Sequence, residues 1–110
     1  ARKITDGMAI RCAHSIADFA EKRGISPDNI IAKMDETEVF AIEAADVAAQ
    51  AVKEGVARVN LSWDEVYRRA KADIEASRKL TDDLMKLGHV SSPPESMLED
   101  ALKWAIQQVR

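Results

Sequence analysis

The sequence predicts an all-α fold of four main helices joined by short linkers, and three observations carry that reading. Four stretches open on a residue able to cap free amides: Thr5, Asp35, Ser62 and Ser92. Gly24, Gly55 and Gly88 stand where three of those stretches should stop. Between these limits apolar residues recur at three-four spacing, the period of a helix with one inward face. The helices are expected near residues 6–23, 36–54, 63–87 and 93–108, with no sheet.

The first helix has Thr5 as cap and Asp6 beside the positive end of its dipole. Ala9, Cys12, Ala13, Ile16, Ala17 and Ala20 form its expected inward stripe, with Met8 and Phe19 on the edges. Gly7 weakens its first turn, since glycine costs about 1 kcal/mol relative to alanine inside a helix. In the linker that follows, Ser26 and Pro27 are read as opening a single helical turn. Ile25, Ile30 and Ile31 are expected to pin that linker to its neighbours.

The second helix is the core element. Asp35 and Glu38 form a capping box, and Met34 and Val39 a hydrophobic staple. Val39, Ile42, Ala45 or Asp46, Ala49 and Val52 trace its stripe, with Ala48 beside them. Alanines at 41, 44, 45, 48, 49 and 51 leave little side chain to hold a neighbour off. The third helix repeats the start logic, with Ser62 and Glu65 as box and Leu61 and Val66 as staple. Its stripe runs Trp63, Val66, Tyr67, Ala70, Ile74, Ser77, Thr81 and Leu84, continued by Leu80 and Leu87. The opposite side is charged, and Arg68 and Arg69 are its candidate anion contacts. Ser92, Pro93, Pro94 and Glu95 open the last helix, whose apolar side is Met97 or Leu98, Ala101, Leu102, Ala105 and Val109, widened by Trp104 and Ile106.

Composition narrows the function classes. A chain of 110 residues, 46% apolar and 32% charged, is one globular domain or part of one. Its net charge of -3 is spread along the chain, with no basic run to grip phosphates, so nucleic acid is not an expected partner. No stretch reaches the roughly 18 apolar residues that cross a bilayer. A single cysteine, Cys12, forms no internal disulfide, which fits a cytoplasmic setting. Cys12 and His14 lie two apart on a helix and face different directions, against a shared metal. The chain opens on Ala1 and not on a methionine, so a processed or cut chain is expected, with a piece of something larger among the readings.

Nothing in the chain has the form of a catalytic centre. There is no glycine-rich phosphate loop, no glycine-flanked serine elbow and no cysteine-histidine pair in catalytic context. Asp35, Glu38, Asp64 and Glu65 read as helix-start acids. No catalytic, cofactor-binding or metal residue is assigned.

Order and spacing of several short motifs then add a resemblance. Ile4 to Met8 (ITDGM), the linker with Ile30 and Ile31, the alanine- and valine-rich Val39 to Val52, and Gly55 to Arg58 (GVAR) follow one another as in the carboxy-terminal end of malic enzymes of the bacterial and archaeal type. The segment from Trp63 to Ile74 matches more loosely. Two positions depart from the family pattern: Gly7, where an acid is usual, and Ala32, where a proline is common. The resemblance divides the chain into residues 1–78, like the malic-enzyme tail, and residues 79–110, a helical extension without a counterpart. It implies the helical tail of a larger nucleotide-binding α/β enzyme that oxidises and decarboxylates malate to pyruvate with NAD or NADP and a divalent metal, Mg or Mn. The family's catalytic and cofactor residues lie upstream of this segment, so the chain by itself is expected to be inactive. The implied partners are the rest of the parent enzyme and a second copy in a homo-oligomer, a dimer. The competing class is an independent helical protein-interaction module.

Overall fold

The computed structural model describes residues 1–108, and these contain four helices, α1 (Asp6–Arg23), α2 (Glu38–Lys53), α3 (Trp63–Lys86) and α4 (Glu95–Gln108). Among the described residues there is no strand, and extended pairing is confined to a single bridge between Ser26 and Asn29. The chain divides into two compact units, Ala1–Ala76 and Ser77–Arg110.

In the first unit α1 packs along α2. Thr5 caps α1 as its sequence indicates, its Oγ accepting from the Met8 amide at 3.2 Å. The buried face of α1 is Met8, Ser15 and Ala20, whereas Ala9, Ala13 and Ala17 of the expected stripe are exposed. The helix is turned toward its Met8–Ser15 side because α2 presents a carboxylate there, which serine and arginine satisfy and alanine does not. On α2 the fully buried positions are Val39, Ala41, Ala45 and Ala51, with Ala45 at 0% exposure, while Ala49 is exposed. These small side chains let the two backbones approach closely.

The start of α2 differs from expectation. The helix begins at Glu38 with Thr37, and not Asp35, at the cap position. Glu38 directs its carboxylate to the Tyr67 hydroxyl and to Lys71 Nζ, 3.5 Å away. Met34 is 83% exposed, so the staple to buried Val39 is absent. The stop does follow from the sequence. Gly55, at φ 69°, donates to Val52 O at 3.0 Å, and Val56 donates to Ala51 O at 3.0 Å. Val56 thereby folds back into the cluster with Met8 and Ala51.

The linker also departs from its reading. Ser26 to Asn29 is a reverse turn, with Asn29 N donating to Ser26 O at 2.9 Å, and not a helical turn. Ile25, Ile30 and Ile31 are exposed and pin nothing within this chain. Arg23 holds the linker instead: its guanidinium reaches Glu36, Asn29 Oδ1 at 2.8 Å and Ile31 O at 3.2 Å. A planar fork with five donors gathers a polar loop that isoleucines cannot.

α3 opens at Ser62 as read, with Glu65 N donating to Ser62 Oγ at 3.3 Å. The reciprocal half of the box is missing, because Glu65 Oε1 accepts from Arg69 at 2.6 Å. In the second unit Gly88, at φ 75°, ends α3, and His89 N donates to Leu84 O at 3.0 Å. From Ser77 to Gln108 every residue is exposed except half-buried Asp83. Val109, placed on the apolar side of α4 by sequence, lies outside the described residues.

Candidate functional site

The most constructed polar site of the chain is Asp46, on the α1-facing side of α2. Three donors from two other helices converge on its carboxylate: Arg11 Nη2 at 2.7 Å, Ser15 Oγ at 2.6 Å and Trp63 Nε1 at 2.8 Å. Ser15 is 1% exposed and also donates toward Arg11 O at 2.9 Å, the back-bonding open to a serine within a helix. Partial burial pushes the Asp46 carboxyl up, but the bonds from Ser15, Trp63 and Arg11 and the guanidinium charge outweigh it, so it is held below the usual carboxylate range. A cleft of about 190 Å³ opens beside this carboxylate, walled by Phe19, Ile42 and Trp63. Trp63 in turn stacks on Tyr67, ring centroids 5.1 Å apart and planes within 11°. Tyr67 donates to Glu38, which raises its phenol above the ordinary value. This chain of contacts fastens the opening turns of α3 to α2.

Two smaller clusters lie on the same unit. Thr5 and Gln50 both donate to Glu54, the latter at 2.6 Å, and hold its carboxyl below the usual range. Gly7 lies under this carboxylate, where an added Cβ would come within 2.0 Å of Glu54 Oε1. An acid at position 7, as in the family pattern, would face Glu54 directly. The Cys12 thiol donates to Glu43 Oε1 at 2.9 Å, and that bond raises its pKa, making it a poor nucleophile.

The residues weighed from sequence are not brought together. Arg69 is paired with Glu65, and Arg68 Nε donates to Asp64 O at 3.3 Å, so both arginines are engaged within their own helix. His14 and His89 are exposed. Among the described residues no group of three or more His, Cys, Asp or Glu side chains is placed to hold a metal ion. Asp46 was visible in the sequence only as an alternative to Ala45 on the core stripe. An acid at core spacing, facing a helix with Arg11 and Ser15 four apart, was the signal that marked it.

Arrangements of this kind hold helices in place against one another, and the class they define is an all-α helical segment. A scan against protein-family models gives no match, and no curated protein matches. Among solved structures, the crystal structure of Entamoeba histolytica malic enzyme is similar over 99% of this chain, at 51% identity and a TM-score of 0.95. The chain spans 23% of the length of that relative. It belongs to the malic enzyme family, as an all-α carboxy-terminal segment. No described helix is long and apolar enough to cross a membrane.

Proposed function

We propose that this chain is the assembly segment of a cytoplasmic malic enzyme. The parent oxidises and decarboxylates malate to pyruvate with NAD or NADP and Mg or Mn, and the chain supplies docking surface and no catalytic group. The observation that carries this reading is the distribution of apolar side chains. Ile4, Ile10, Ile25, Ile30, Ile31 and Met34 in the first unit, and Leu87, Leu98, Leu102 and Trp104 in the second, are each 58% or more exposed. Exposed apolar surface on this scale is characteristic of an interaction face. Its partners in this reading are the remaining part of the parent enzyme and a second copy of the chain. The residues here do not fit the family's cofactors: the sequence has no glycine-rich phosphate loop, and the described residues offer no metal cluster. In this reading the part of the parent outside this chain holds nucleotide and metal.

The purified 110-residue chain, given malate with NAD or NADP and with Mg or Mn, should produce no reduced nicotinamide above a protein-free blank. Reproducible malate-dependent reduction would overturn the assignment of this chain to a structural role.

A further inference from the structure

Resting on the assembly reading above, we infer that the groove beside Ala1 seats the stretch of the parent that directly precedes this chain, and that an aliphatic side chain of that stretch fills it. The groove has a volume of about 180 Å³ and is walled by Ala48 and Val52 of α2, Val59 and Leu61 of the connection, and Val66 of α3. Among the described residues its single charged neighbour is Arg58. Trp63 and Tyr67 tie the start of α3 to α2 through Asp46 and Glu38, and Val52 and Val66 are left lining unfilled space. An unfilled apolar gap forfeits the dispersion contacts of its lining. The volume falls below the roughly 300 Å³ at which small-molecule pockets begin, and suits a few aliphatic carbons instead.

The path of the first residues selects the occupant. Arg2 N donates to Val56 O at 2.8 Å, and Ala1 lines the groove beside Ala57, Arg58 and Val59. Going from Arg2 back to Ala1 therefore carries the chain from Val56 toward Val59, into the groove and antiparallel to the connection. Arg58 and Val59 make no hydrogen bond among the described residues, so their backbone is open to a segment arriving on that line. Extended segments bind such an edge through main-chain bonds and set alternate side chains into pockets. The chain is a carboxy-terminal segment spanning 23% of the length of its malic enzyme relative, so the larger part of that protein comes before it. A stretch joined directly to Ala1 is held at the groove at an effective concentration of roughly millimolar, ahead of any free partner. The groove is only a few ångströms across, so the side chain that fills it belongs to the first few residues before Ala1.

Extending the chain tests this seat. The 110-residue chain is compared with one carrying, before Ala1, the parent's own preceding residues, about ten of them, enough at roughly 3.3 Å each to run past the groove. A third chain carries the same residues in scrambled order. The native extension should lower the unfolding constant in urea at least about tenfold, as burial of one aliphatic side chain does. It should also slow hydrogen exchange at the Arg58, Val59 and Leu61 amides, whereas the scrambled extension does neither. Val59→Asp, at a position 66% exposed, should change the unextended chain by less than about threefold and erase the gain from the native extension. Ile25→Asp, at an exposed position outside the groove, should leave that gain intact. A native extension that neither stabilises the chain nor slows exchange overturns the inference. So does a gain that survives Val59→Asp or is lost with Ile25→Asp. Protection that grows with protein concentration and is equal in all three chains means that a second copy fills the groove, and overturns it too. Each of these negative results leaves the assembly reading standing, and the malate assay above tests that reading separately.

Discussion

The two units of this chain use similar helices to opposite ends. In Ala1–Ala76 the paired helices α1 and α2 close over Met8, Ser15, Ala20, Val39, Ala41, Ala45, Ala51 and Val56, whereas the described residues of Ser77–Arg110 bury nothing. The contrast is not one of amphipathicity. α3, which contributes to both units, separates its apolar and charged sides more sharply than any of the other three helices and has no buried residue. α2, with the weakest such separation, lies at the core. An amphipathic pattern states that a face requires a partner and does not state that the partner is in the same chain. Alanine-rich α2 is buried because α1 comes close to it, and the close approach is what small side chains permit.

Substitutions break this comparison in a definite order. Ala45→Leu adds volume where α1 and α2 touch, at a position with no exposure, and should destabilise the chain by about 3 kcal/mol in urea denaturation. Next comes Asp46→Ala, which leaves Ser15 buried and Arg11 without its partner. Because the Arg11 side chain is 40% exposed, the loss should be about 2 kcal/mol rather than that of a fully buried pair. The same carboxylate sets a pH dependence. Its folded pKa is lowered, so its contribution is complete above the unfolded carboxylate range and is lost as pH falls through the folded value. An Asp46→Asn chain should show a shallower loss of stability than the unchanged chain as pH falls below the unfolded carboxylate value of about 4.

Trp63→Phe keeps a ring to stack on Tyr67 and removes the indole donor to Asp46, for an expected loss of about 1 kcal/mol. Smallest of all is Leu80→Ala in the second unit. Leu80 is 61% exposed, so this truncation should change stability by less than about 0.5 kcal/mol, although the same change in a core costs several times more. A loss of about 2 kcal/mol there would show that the second unit is buried against something in solution, most directly a second copy.

The sequence by itself determined the number of helices, the Thr5 and Ser62 caps, the three glycine stops and the family. Each cap or stop is decided within one turn: a side-chain oxygen reaches an amide three residues on, or a left-handed residue lets two amides fold back on the last carbonyls. The family was legible because the order of ITDGM, the double isoleucine, the alanine-rich helix and GVAR survives in the residues themselves. Tertiary structure decided the rest. Which side of α1 faces inward depends on Asp46, 35 positions beyond Arg11, and whether Glu38 caps its own helix depends on Tyr67, 29 positions beyond it. The linker isoleucines read as anchors because they are apolar, yet Arg23 took the loop's carbonyl and carboxylate groups and left them outside. Local chemistry sets where a helix begins and ends. Only the competition among distant groups for the same donors sets what it faces.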